Sequence, residues 1–132
     1  MKTLKILLLS TIFLFSTAQA LELKQLSLDQ SIAIAKEQNK NLLIIFSIDN
    51  CIYCDMLKNE VIMFNIDNYV LCIVDVTNNQ EISKAFKLRI FPTSVILSVQ
   101  KNEEKIIDTY IGYNKDKYSQ WIIKNDTKKS AQ

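Results

Sequence analysis

The residues of this chain best suited to chemistry are Cys51 and Cys54, separated by Ile52 and Tyr53. Two thiols at i and i+3 on the first turn of a helix can close without backbone movement, because a disulfide needs Cα atoms only about 5.5 Å apart. The spacing permits a reversible disulfide. It also permits a structural disulfide, two inert thiols or a pair of soft metal ligands, so the surroundings must decide. The third cysteine, Cys72, sits in a run of Val, Leu and Ile, where a thiol behaves as a small buried hydrophobe. The chain has no histidine. That removes the commonest zinc and copper ligand and excludes every His-dependent triad or general base. No metal site and no cofactor is expected, and any catalysis must come from thiols.

The residues ahead of the pair bear on where that chemistry would take place. Lys2 and Lys5 precede an apolar run from Ile6 to Phe15, and Ser16-Thr17-Ala18-Gln19-Ala20 then puts small residues where a signal peptidase reads. A secretory signal peptide over residues 1–20, cut after Ala20, is expected. The rival is an uncleaved anchor, but the run falls short of the roughly 20 apolar residues that span a bilayer. Export leads to an oxidising compartment, the periplasm, where a dithiol is stable as a disulfide. Cleavage would also remove two of the 16 basic residues, leaving 14 against 14 acidic ones. A near-neutral mature chain carries no basic footprint for nucleic acid or anionic lipid. Three cysteines are too few for a disulfide scaffold, and a chain of this length can bury a modest core as one domain.

The elements that would position the cysteines alternate in type. Ser27-Leu28-Asp29-Gln30 forms a capping box, and Leu28, Ile32 and Ala35 recur on one face, which predicts a helix over Leu28–Gln38. Leu42 to Phe46 is a continuous apolar run, as in a strand buried on both faces. Ser47-Ile48-Asp49-Asn50 turns into Cys51, and Cys54, Met56, Leu57, Val61 and Ile62 follow at helical spacing. Tyr69 to Val76 predicts a second buried strand, and Asn79 to Lys87 a short helix with Ile82, Ala85 and Phe86 inward. Arg89-Ile90-Phe91-Pro92-Thr93 interrupts; then Ser94–Val99 and Lys105–Ile111 predict a hairpin ending at Gly112, the only glycine. Asn114 to Lys124 predicts a last helix with Tyr118, Trp121 and Ile122 as its apolar face. The polar stretch 125–132 predicts a frayed tail.

An apolar strand, a CxxC opening the next helix, a strand ending in Asp75-Val76, Ile90-Phe91-Pro92-Thr93 leading into a hairpin and a Gly112-Tyr113 corner together resemble the thioredoxin superfamily, in particular its secreted bacterial members. The resemblance covers residues 21–124. It implies an α/β fold with a central mixed sheet of about four strands flanked by helices, preceded by an extra N-terminal helix. It implies that Cys51 is the exposed nucleophile, its thiolate favoured by the helix N-terminus, and that Cys54 resolves the mixed disulfide. Pro92 matches the family's cis-proline, beside which an extended client strand would pair with the Phe91 backbone. Phe91, Pro92, Ile52 and Tyr53 are the substrate-contacting residues this implies.

Departures from the family pattern bear on direction. The buried acid six residues before the first cysteine is Ile45 here, the usual Trp before it is Asn50, and the usual Gly-Pro between the cysteines is Ile52-Tyr53. Strongly oxidising members often place a thiolate-stabilising His in that dipeptide; Tyr53 is neutral. Asp49 and Asp55 would raise the thiol pKa if either carboxylate pointed inward. The expected function is a periplasmic thiol:disulfide oxidoreductase, reductant or isomerase partner rather than primary oxidant. Its expected partners are exported proteins with thiols or disulfides and a membrane-embedded redox donor, and the protein would work as a monomer. The alternative is a peptide-binding module on the same fold with a structural disulfide and no turnover.

Overall fold

The computed structural model describes residues 26–129, so the leader expected over 1–20 and the last residues of the tail lie outside the described residues. Helix α1 (Leu28–Glu37) starts at Ser27, whose hydroxyl accepts from the Gln30 amide while the Gln30 side chain accepts from the Ser27 amide. The expected capping box is formed. Strand β1 (Asn41–Ser47) is buried at every position. Helix α2 (Ile52–Glu60) carries the cysteines at its start and passes into a 3-10 turn at Val61–Met63. Strand β2 (Tyr69–Asp75), helix α3 (Gln80–Ala85), strand β3 (Thr93–Ser98), strand β4 (Lys105–Ile111) and helix α4 (Lys115–Lys129) complete the order.

The sheet runs β2-β1-β3-β4, with β2 parallel to β1 and the hairpin strands antiparallel. This is the parallel βαβ half followed by an antiparallel half that the sequence predicts. Because side chains alternate along β1, it feeds two cores. Leu42, Ile44 and Phe46 meet α1 and the α3 region on one face; Leu43 and Ile45 meet Leu57 of α2, Val61 of the turn after it, and Tyr118 and Ile122 of α4 on the other. The sheet is therefore a central layer with helices on both sides.

Four local expectations differ from the structure. Strand β2 is half-buried over its second half, because among the described residues no strand pairs with its outer side. Ala85 is exposed, the inward residues of α3 being Ile82 and Phe86. Met56 and Ile62 are exposed while Cys54, Leu57 and Val61 carry the buried stripe. Helix α4 continues to Lys129 through the stretch expected to fray. Its extension has a physical cause in Asn125, which is buried and donates to the Trp121 carbonyl at 2.9 Å and to Asp108 of β4 at 3.1 Å. Burial alone would raise the Asp108 pKa, but donors from Asn125 and the Thr109 amide outweigh it and hold the carboxyl below its usual range.

Candidate active site

The site lies where β1 hands over to α2. Asn50 has φ of 54°, the left-handed conformation that Asn tolerates better than most residues, and this reverses the chain into the helix. The Asp49 amide donates to the Thr77 hydroxyl at 2.9 Å, and the Val76 amide donates to the Ser47 carbonyl at 2.9 Å. The turn is thereby tied to the end of β2. Cys51 then stands in the N-cap position of α2 with extended backbone.

Its sulfur is the cap. Cys51 Sγ accepts from the Cys54 amide at 3.2 Å, so one of the donors the first turn leaves unpaired points at this sulfur, where it would favour a negative charge. Cys51 and Cys54 form a disulfide with Cα atoms 5.2 Å apart. Cys51 is half-buried and Cys54 fully buried, so Cys51 is the more accessible of the two sulfurs. Between them Ile52 is 76% and Tyr53 59% exposed, and Met56 continues that apolar surface one turn on.

The acidic neighbours are exposed. Asp55 pairs with Lys58 at 3.2 Å. The Asp49 carboxyl meets Asp75, whose pKa is lowered chiefly by the Thr77 hydroxyl and amide. The condition under which Asp55 would raise the thiol pKa, an inward carboxylate, is therefore not met. Ile45 is fully buried in the core that also holds Leu57, so no carboxyl occupies the position from which the family resemblance takes a proton acceptor.

The second half of the site comes from the hairpin. The Phe46–Thr93 pair ends the β1–β3 ladder, which puts Pro92 one step beyond it, at the end of the sheet where β1 leads to the cysteines. The Phe91–Pro92 peptide is cis, and Pro92 is buried. The Pro92 carbonyl accepts from the Gly112 amide at 2.7 Å, and the Thr93 hydroxyl donates to the Ile90 carbonyl at 2.6 Å. Gly112 has φ of 81°, where a Cβ would strain the backbone even though the space beside it is open. Next to it, the Tyr113 hydroxyl donates to Glu60 at the end of α2, tying this corner to the helix that carries the pair.

Side-chain placement around Pro92 was only partly foreseeable. Phe91 is half-buried and packs on the core with Phe46 and Val95, whereas Ile90 is 57% and Ile111 62% exposed. Sequence reasoning singled out neither isoleucine, nor Met56. The signal available was an apolar residue directly before Phe91, where alternation across an extended segment sends neighbours to opposite sides. Cys72 is buried and free, its thiol pKa raised by burial. Among the described residues, no group of three or more Cys, Asp and Glu converges as a metal would require.

Comparison with known proteins agrees with this geometry. The fold is similar to a Thermus thermophilus thioredoxin (16% identity, 76% of this chain and 85% of that one, TM-score 0.67). It is also similar to poplar thioredoxin h (23%, 72% and 84%, 0.64) and to Malassezia sympodialis thioredoxin (25%, 74% and 84%, 0.58). No curated protein sequence matches significantly. A cysteine pair able to form a disulfide at a helix start, on this fold, supports thiol:disulfide exchange in general. The family model described as a thioredoxin-like domain matches residues 28–125, and the chain therefore belongs to the thioredoxin-like family.

Proposed function

We propose that the chain is an exported thiol:disulfide oxidoreductase that passes electrons to disulfides of other exported proteins, as reductant or isomerase partner. The observation that carries this reading is Cys51 Sγ accepting the Cys54 amide at the N-terminus of α2 while Cys54 itself is fully buried. In the reduced state the Cys51 thiolate attacks a client sulfur, forming one S–S bond and expelling a client thiolate, which takes up a proton. Cys54 then loses its proton, attacks Cys51 Sγ and expels the second client thiolate. The client gains two electrons and two protons, and the Cys51–Cys54 disulfide remains. A membrane-embedded donor with its own dithiol is the class of partner that would reduce it again. Neutral mature charge supports protein clients rather than nucleic acid, and the leader pattern over residues 1–20 supports periplasmic work.

The direct test is Cys54→Ser. With resolution blocked, the variant is expected to accumulate Cys51-linked client adducts in extracts of the exported fraction, cleared by dithiothreitol. A binding module with a permanent disulfide would give none, and that result would remove the enzymatic reading. Direction is tested by equilibrating the wild-type pair with glutathione. With a neutral dipeptide between the cysteines, its potential is expected well below the roughly −120 mV of strong oxidants. A value near −120 mV would make the protein an oxidant instead.

A further inference from the structure

A groove beside Pro92 belongs to neither cysteine. It encloses about 210 Å³ between the loop after α3 and the exposed face of β4, with Leu88, Ile90 and Ile111 among its apolar walls and Lys87 and Arg89 in its lining. Thr93, Thr109 and Ile111 lie in register on the sheet face that carries α1 and α3, so the groove opens on the side away from α2. Ile90 and Thr93 bracket Phe91–Pro92, which makes the groove continuous with the edge where a client strand would pair.

Its charge is one-sided. Two cations line it and no acidic residue does, and neither Lys87 nor Arg89 has an acidic partner among the described residues. Across the site, Asp49 and Asp55 stand beside the cysteines, Asp55 paired with Lys58, and Glu60 at the far end of the helix accepts from Tyr113, so among the described residues this flank carries no unpaired cation to match Lys87 and Arg89. Lys87 also occupies a costly position. It has φ of 54° directly after the last turn of α3, where the Leu88 amide closes on the Ser83 carbonyl at 2.9 Å. Glycine is the residue this left-handed helix ending favours, so the lysine is held there against local preference.

We propose that this groove selects the client: it receives an apolar side chain next to a carboxylate, on one flank of the client cysteine. The selection rests on the reading of Cys51 and Cys54 as an exchange pair for protein clients. A strand seated along Phe91–Pro92 would leave the cysteines over the groove. An acid on that flank meets Lys87 and Arg89, whereas an acid on the other flank meets Asp49 and the Asp55–Lys58 pair, with no free cation to attract it. The two ends of the site thus orient the client as well as choose it.

The test uses synthetic disulfide peptides that differ at one position, Glu, Gln or Lys, placed on either flank of the cysteine. Wild-type protein is expected to reduce the Glu peptide with kcat/KM roughly threefold to tenfold above the Lys peptide on one flank only. That range is what two exposed charge pairs supply, and it should shrink at high salt. In the Lys87→Gly/Arg89→Gln variant the ratio should fall close to one. Lys87→Gly relieves the backbone, so this variant is expected to fold, and Arg89→Lys should retain the preference. Equal rates for Glu and Lys peptides in the wild type, or a preference that survives the double variant, would overturn the proposal while leaving the exchange reading intact. Failure to reduce any of the peptides, the Gln one included, would overturn the exchange reading itself.

Discussion

Cys51→Ser is expected to reduce the disulfides of a model client such as insulin no faster than buffer and dithiothreitol alone. A hydroxyl cannot form a mixed disulfide, so both electron-transfer steps disappear. The loss would not come from unfolding of α2. Serine is among the strongest N-cap residues and can accept the Cys54 amide in place of sulfur. Cys72→Ala supplies the contrast. That thiol is 2% exposed, burial keeps it protonated, and it lies in the core on the α1 side of the sheet. Its removal is expected to cost about 1 kcal/mol of stability and leave turnover in place. Turnover by Cys51→Ser, or its loss in Cys72→Ala, would mean that the wrong sulfur has been assigned.

Ile45→Asp should destabilise the fold by about 4 kcal/mol at pH 7, through lost packing and a buried polar group without a partner. Ile45 is fully buried against α2, where desolvation pushes a carboxyl's folded pKa above its unfolded value of about 3.9. The penalty is therefore least below pH 4, where both states are protonated. It grows by up to about 1.4 kcal/mol per unit as pH rises towards the folded pKa. Ile45→Ala loses about 2–5 kcal/mol with no such slope. Urea denaturation of both variants at pH 5 and pH 8 separates them, and parallel curves would show that water reaches position 45. In the proposed exchange, the proton leaving Cys54 would find no buried carboxylate at this position to receive it.

Much of this was legible along the chain because it is local. The Ser27 cap, the unbroken apolar run of β1, the turn at Asn50 and the glycine at the left-handed corner each report their own backbone, and the CxxC reports its own spacing. What stayed hidden depends on who sits next to whom. That β2 lies at the edge of the sheet among the described residues follows from sheet order, which its own apolar run cannot reveal. The length of α4 depends on Asn125 reaching Asp108 across 17 residues, so a polar residue that reads as tail is a buried tie. Whether Phe91 or Ile90 faces solvent is set by the approach to Pro92. The cationic groove needs α3 and β4 side by side before it exists.

The sulfur of Cys51 would have two duties that compete. In the disulfide it finishes the start of α2 by accepting the Cys54 amide, and in the exchange proposed above it would bond to a client. Once shared with a client it would be a poorer acceptor than a thiolate, and the amide it holds belongs to Cys54, the residue that would attack next. Such a cycle would loosen the first turn of the helix at the moment that turn has to rearrange. Stability and reactivity would then alternate on a single atom.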